Sequence, residues 1–222
     1  MAHVEPRTDG PLVAGDVADA LKDQGVYWYT GDVTLDRFRA VCEELGEVFY
    51  EADVRLGAER PRNYQLPQPI DFHTDHVSAE IAAWYCLERE ADGGCMRFLD
   101  LAPVARELSA EDLDALTRVR VPDNAVWSRS GDIPMCTPNG ALPAFHYVPW
   151  LKLNAPDPEA RAALGRFEAL VRTQKETALI DADLAPGHIV IIDNHRIMHG
   201  RDAIPASSRR HLKRYWIRAR AA

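Results

Sequence analysis

The sequence predicts a β-sandwich or barrel with a few helices packed outside it. Short apolar segments recur after Gly46, separated by Gly, Pro, Asn and Asp, which is the punctuation of a β-rich core. Helical patterns do not alternate regularly with these segments, so a doubly wound parallel sheet is disfavoured. The 222 residues are 46% hydrophobic and 27% charged, enough apolar material for one substantial core. The chain is therefore read as a single domain, 1–222, with a helical segment at about 14–46 packed on the β-rich part.

Two helices open the chain. Asp16 is placed to cap the first, and Gly25 to end it. Thr34 is placed to cap the second, in which Leu35, Phe38, Val41, Cys42 and Leu45 share a face before Gly46. Val26-Tyr27-Trp28-Tyr29 between them reads as a strand. Further strands are expected at Glu47–Tyr50, Ile70–His73, Ile81–Leu87, Arg97–Leu101, Ala125–Ser128, Ala144–Val148, His188–Asp193 and His211–Arg218. Two more helices interrupt them. One starts at Ser109 with Asp112 in the capping-box position. The other runs from about Pro158 to Lys175 on a stripe of Leu164, Phe167, Leu170 and Val171.

Composition narrows the functional classes. A formal net charge of -8 argues against nucleic acid as a partner, because phosphate binding needs a basic footprint. The longest aliphatic run, Ile189-Val190-Ile191-Ile192, is too short for a membrane span. Met1 to Leu12 lacks the apolar core of a secretion signal. Cys42, Cys86, Cys95 and Cys136 are scattered and form no C-x-x-C pair, so neither a zinc knuckle nor a disulfide framework is indicated. A cytoplasmic protein with reduced thiols, acting on a small molecule, is expected.

The candidate chemistry begins at Phe72-His73-Thr74-Asp75-His76. In extended backbone, residues i and i+2 point to the same side. His73 and Asp75 then offer one imidazole and one carboxylate together, two thirds of a facial metal triad. Alone the triplet is weak, because roughly one such H-x-D arises by chance in a chain of this size, and a solvated loop would carry it equally well. A second segment strengthens it. Ala185-Pro186-Gly187 is a turn, His188–Ile192 a buried-type strand, and Asp193-Asn194-His195-Arg196-Ile197-Met198-His199-Gly200-Arg201 follows. A histidine just beyond an apolar strand can reach a barrel mouth, and Gly200 permits a backbone turn beside it. A third segment, Arg209 to Arg218, puts Arg210, Leu212 and Arg214 on one face if it is a strand. An inward guanidinium there can clamp a carboxylate, although a basic exposed edge strand would read the same way.

These residues together resemble the taurine dioxygenase and clavaminate synthase-like iron/2-oxoglutarate oxygenases, which include γ-butyrobetaine hydroxylase and amino-acid hydroxylases. The matching pieces are His73-Thr74-Asp75, Gly93-Gly94 before a strand ending at Asp100, Pro186-Gly187-His188 leading into Asp193-Asn194-x-Arg196-x-x-His199-Gly200-Arg201, and Arg210-His211-Leu212. Order and spacing agree from about residue 10 to the C-terminus. The distal motif is the specific part.

The resemblance implies a double-stranded β-helix (jelly-roll, cupin-like) fold and Fe(II) held by His73, Asp75 and His199. It implies 2-oxoglutarate and O2 as co-substrates, with Arg210 on the distal carboxylate of 2-oxoglutarate. It implies oxidation of an unactivated C–H bond with release of succinate and CO2. Because Asp75 is retained, hydroxylation or desaturation is implied rather than halogenation. Arg214 matches a substrate-binding position of some relatives. One departure concerns the co-substrate: Met96 stands where many relatives have a threonine that helps hold 2-oxoglutarate, and a thioether donates no hydrogen bond. The interval between the two metal motifs is also short for the family, which implies a reduced lid. His76 and Tyr147, with Trp150, are further candidates for substrate contact, and the substrate class suggested by family habit is an amino acid or related amine. Two other readings of the same residues stay open: a zinc or manganese hydrolase built on the same three ligands, and a non-catalytic ligand-binding jelly-roll.

Overall fold

The computed structural model describes residues 4–57, 65–89, 92–121, 133–150 and 153–220. Helices α1 (Ala14–Gln24) and α2 (Leu35–Leu45) flank strand β1 (Val26–Tyr29) and precede β2 (Gly46–Val54). Strands β3 (Ile70–His73), β4 (Ile81–Glu88) and β5 (Met96–Asp100) lead to helices α3 (Ala102–Glu107) and α4 (Ala110–Arg118). Four two-residue strands follow: β6 (Arg120–Val121), β7 (Ile133–Pro134), β8 (Cys136–Thr137) and β9 (Ala144–Phe145). Helix α5 (Pro158–Thr177) then precedes β10 (Ile180–Ala182), β11 (Ile189–Asp193), β12 (Ile197–Arg201) and β13 (His211–Ala219).

Two antiparallel sheets make the jelly-roll. One has the order β1-β11-β4-β13-β2 and the other β10-β5-β12-β3. Alternation along the strands sorts side chains into three apolar clusters. Val190, Ile192, Trp84, Leu212 and Trp216 from the larger sheet meet Met96, Phe98 and Ile197 of the smaller between the sheets. The opposite faces of the same strands, Ile189, Ile191, Tyr85, Tyr215 and Ile217, pack on Val17, Leu21, Phe38 and Val41 of α1 and α2. Outside the smaller sheet, Phe72, Leu99 and Met198 pack on Leu116 of α4 and on Ala163, Phe167 and Val171 of α5. A strand covered on both faces reads as a continuous apolar run, which accounts for Ile189 to Ile192.

The sequence expectations hold for β1, β3, β4, β5, β11 and β13, within a residue or so at their ends. Thr34 caps α2, accepting a hydrogen bond from the Arg37 N–H at 3.2 Å, and Ser109 accepts from the Asp112 N–H at 3.1 Å to start α4. The first helix differs. It begins at Ala14 behind Val13, which offers no side-chain cap; Asp16 sits inside the first turn and pairs with Arg7 at 2.6 Å. Gly25 does end that helix, at φ 75°. The strand expected at Ala144–Val148 shortens to Ala144–Phe145, and the one expected at Ala125–Ser128 lies outside the described residues. Helix α3 and strands β6, β7, β8, β10 and β12 are additional. β12 escaped the pattern because its inward residues after Ile197 are His199 and Arg201, not apolar ones.

Candidate metal centre

The two histidines come from adjacent strands. β3 pairs antiparallel with β12, and His73 lies directly opposite His199 in the ladder, their rings 4.3 Å apart. His199 therefore sits inside a strand, not beyond one. Gly200 makes no turn; the ladder shifts register between His199 and Arg201, and a Cβ at Gly200 would lie 2.7 Å from the Ile70 carbonyl oxygen. Only glycine tolerates that approach.

Asp75 lies two residues past the end of β3, yet the expected alternation persists. Thr74 turns to the other side, where its N–H donates to the Tyr147 carbonyl at 2.9 Å and its Oγ1 accepts from the Tyr147 N–H at 3.0 Å. Asp75 consequently faces the histidines. His73 Nε2 is 3.8 Å from Oδ1 and His199 Nε2 is 3.7 Å from Oδ2. One ligand atom from each of the three residues lies within 4.8 Å of the other two, and all three residues are buried.

The electrostatics suit a divalent cation. Burial drives both imidazole pKa values down, His199 to about 3, so both rings are neutral and present lone pairs. His73 Nδ1 lies 2.9 Å from the Asp71 carbonyl oxygen. A carbonyl can only accept, so the proton is on Nδ1 and Nε2 is free to ligate. His199 is held edge-on by Trp84, ring centroids 4.8 Å apart. For Asp75, burial pushes the pKa up, but the Arg214 guanidinium and a Trp216 hydrogen bond oppose it, and the group lies below its ordinary value. Trp216 Nε1 donates to Oδ2 at 2.7 Å, and Arg214 Nη1 lies 3.2 and 3.4 Å from the two oxygens. Two neutral imidazoles and one ionised carboxylate converging in a buried site are a donor set that fits Fe(II), and also Mn(II) or Zn(II).

The Asp193–Arg196 turn builds the scaffold around these ligands. Asn194 accepts the Asp75 N–H on Oδ1 at 2.7 Å and donates from Nδ2 to the Ala79 carbonyl at 2.7 Å. Arg196 clamps Asp100 with two bonds, Nε at 2.9 Å and Nη2 at 2.7 Å, which ties the end of β5 to the turn before β12.

A cleft opens beside the cluster, lined by His73, His199, Trp84, Met96, Arg201, Arg210, Leu212 and Arg214, among others. β13 lies between β4 and β2, so it is not an edge strand; Arg214 on it and Arg210 just before it line the cleft, whereas Arg218 is exposed. Arg210 and Arg214 are 7% and 4% exposed. Burial, then the neighbouring Arg201, pull the Arg210 pKa down to about 10. Arg210 forms no ion pair with any described residue. Gly94, at φ 71°, passes so close that a Cβ there would lie 3.1 Å from Arg210 Cδ. Met96 is buried between this cleft and a small adjoining pocket that Arg210, Cys86, Gly93 and Gly94 also line.

The remaining candidates are placed less uniformly. The His76 ring packs 5.5 Å from Trp216 and 6.0 Å from Phe49, beside Asp75 but off the cleft wall. Trp150 lies 4.6 Å from the His73 ring and is exposed. Tyr147 differs from expectation: its ring packs 5.5 Å from Phe167 and its hydroxyl donates to Glu168 at 3.2 Å. Its side chain is directed to α5, and only its backbone serves the centre, through Thr74. Trp216, Trp84 and Arg201 were missed. For Trp216 and Arg201 a signal existed, since both continue the inward alternation from Arg214 and His199.

The family model for taurine catabolism dioxygenase TauD, TfdA family matches residues 9–216. No curated protein gives a significant sequence match. Among solved structures, the chain is similar to asparagine oxygenase (TM-score 0.72, 17% identity, covering 93% of this chain and 78% of that one). It is also similar to the non-haem iron oxygenase OrfP in complex with Fe and alpha-ketoglutaric acid (TM-score 0.72, 18% identity, 92% and 79%). A third is PvcB, an Fe, alpha-ketoglutarate dependent oxygenase from an isonitrile synthetic pathway (TM-score 0.64, 20% identity, 96% and 83%). At these identities the likeness establishes the shared fold.

Proposed function

The chain belongs to the taurine catabolism dioxygenase TauD, TfdA family, and on that premise we propose that it is an Fe(II)- and 2-oxoglutarate-dependent dioxygenase oxidising a C–H bond of a small polar substrate. The observation that carries this reading is the juxtaposition of a buried His73–Asp75–His199 cluster with Arg210, a buried cation that lines the same cleft and has no carboxylate partner among the described residues. A hydrolase built on the same three ligands would need such a cation only for an anionic substrate. A diacid co-substrate supplies its missing counter-charge.

Each residue then takes a definite part. His73, Asp75 and His199 would hold the iron, as a two-histidine, one-carboxylate donor set suits it. Iron, 2-oxoglutarate and dioxygen together supply the oxidising power, with release of succinate and CO2. Arg210 binds the distal carboxylate of 2-oxoglutarate. Met96 contributes apolar contact where a hydroxyl would add a hydrogen bond, so the clamp rests chiefly on the guanidinium. Trp84 and Leu212 wall the cleft with apolar surface and exclude water. Arg214 receives an anionic group of the substrate, and His76 and Trp150 stand near its approach.

An amino acid or related amine is the substrate class we favour. Asparagine oxygenase has been crystallised with 3-hydroxyasparagine and succinate, and OrfP with hydroxylated arginine. We place the protein in the cytoplasm, in keeping with four unpaired cysteines; no described helix is long and apolar enough to cross a membrane.

The test is an anaerobic titration of metal-free protein with Fe(II) and 2-oxoglutarate. A visible charge-transfer band that requires both additions is expected, followed in air by substrate-dependent succinate formation across a panel of amino acids. No band at saturating ligand, with zinc- or manganese-dependent hydrolysis instead, overturns the reading.

A further inference from the structure

Asp75 is the least anchored of the three candidate ligands by secondary structure. His73 and His199 sit in a paired ladder, whereas Asp75 lies in the loop beyond β3. Its backbone N–H is fixed by Asn194, but its carboxylate is free to rotate unless something holds the oxygens. Two groups do. Arg214 approaches both oxygens through one nitrogen, at 3.2 and 3.4 Å. The Trp216 indole approaches only Oδ2, at 2.7 Å.

These two donors differ when a cation occupies the site. The guanidinium carries a full charge, and a charge a few ångströms from a divalent ion opposes its binding. The indole has one N–H, no charge and no acceptor. It satisfies one oxygen without competing for the ion and without repelling it. The ring is also rigidly placed. Tyr50 stacks on it with centroids 4.3 Å apart, His76 lies 5.5 Å away, and the Arg214 guanidinium covers the ring at 4.7 Å. Trp216 lies two residues beyond Arg214 on β13 and shares its inward face.

We propose that Trp216 is a positioning residue: its N–H fixes the Asp75 carboxylate rotamer and thereby sets the affinity of the cluster for a divalent cation. This rests on the reading of His73, Asp75 and His199 as metal ligands. It also leaves the Asp75 carboxylate with a hydrogen bond if the guanidinium turns to a substrate anion.

The experiment is an anaerobic titration of metal-free, full-length protein with Co(II), followed by visible d–d absorption. Compared with wild type are Trp216→Phe, replacement of Trp216 by the isosteric β-(3-benzothienyl)alanine, Asp112→Asn as a change remote from the cluster, and His73→Ala. The benzothienyl protein keeps the ring shape and loses only the N–H, so it answers the question if the Phe variant does not fold. A Co(II) affinity lower by about 10- to 100-fold is expected for it, with a shifted d–d spectrum and a metal-free melting temperature close to wild type. Asp112→Asn, on the far helices, stays within about threefold of wild type, because distant sites act independently. Wild-type Co(II) affinity and spectrum in the benzothienyl protein overturn the proposal, as does an equal loss in Asp112→Asn. Wild-type binding unaffected by His73→Ala, or no binding at all, instead overturns the metal-centre reading itself.

Discussion

Asn194 and Asp75, 119 positions apart in the chain, are joined by a 2.7 Å hydrogen bond from the Asp75 N–H to the Asn194 side-chain oxygen. Asn194 is fully buried, and its amide nitrogen is committed to the Ala79 carbonyl. One side chain thus staples the loop carrying a candidate ligand to the turn that feeds β12, the strand carrying another. The geometry of that turn is architectural: Asn194 and Arg196 contribute no atom to the metal cluster, but they decide where its atoms lie.

Replacing Asn194 by alanine strands two buried backbone groups, each costing about 1–3 kcal/mol when unsatisfied. A destabilisation of about 2–4 kcal/mol is expected, which lowers the melting temperature of a chain this size by about 4–16 °C. Thermal unfolding of the metal-free protein checks this, and a melting temperature equal to wild type contradicts the staple.

Arg210→Ala removes the charge proposed to meet the distal carboxylate of 2-oxoglutarate. Hydrogen bonds to charged groups contribute about 1.5–3 kcal/mol, so KM for 2-oxoglutarate rises about 10- to 100-fold. Arg210→Lys restores part of this, because a point charge replaces a fork. Steady-state succinate assays at varied 2-oxoglutarate decide it; an unchanged KM in Arg210→Ala removes the residue from the clamp.

His73→Ala and His199→Ala each delete one imidazole from the cluster. Succinate formation should fall to background in both, while the far-UV circular dichroism of the metal-free proteins matches wild type. Wild-type turnover by either variant excludes that histidine from the centre.

Away from the centre, Asp112 joins α4 to α5. Its carboxylate accepts from Arg166 Nε at 2.9 and 3.0 Å, and this bond, against a smaller opposing effect of burial, holds its pKa below the ordinary aspartate value. A carboxylate depressed in the folded state stabilises above the unfolded-state pKa of about 3.9 and loses that contribution as pH falls through the folded-state value. Arg166 is more than half exposed, so solvent screening limits the pair to about 1 kcal/mol. Asp112→Asn should therefore melt about 2–4 °C below wild type at pH 7, and the gap should close as pH is lowered well below 4. A gap of the same size at low pH would trace the loss to packing instead.

The sequence exposed this fold most clearly where one physical rule acted alone. The run Ile189 to Ile192 had to be a strand covered on both faces, and Thr34 and Ser109 marked helix starts by capping chemistry. It was obscure where two demands met. β12 carries His199 and Arg201 on its inner face, so a buried strand looked like a polar loop. Tyr147 looked like a pocket residue because it lies near Trp150 in sequence. The backbone exchange with Thr74 sends its ring to Phe167 instead, a long-range pairing that no local pattern reveals. Asp16 had the right chemistry for a cap, but Arg7 draws it into an ion pair within the first turn. Trp216 was legible in principle: the alternation that picked out Arg210, Leu212 and Arg214 continues to it.

The direct opposition of His73 and His199 in the β3–β12 ladder has a consequence for assembly. Sheet side chains repeat with a period of two, so a slip of one residue between these strands would carry one imidazole through to the helical side of the sheet. A cation bridging both rings is then a gauge of strand alignment: molecules paired in the native frame gain its binding energy, and misregistered ones gain nothing. Supplying iron during folding would sort correct pairings from incorrect ones before any substrate arrives.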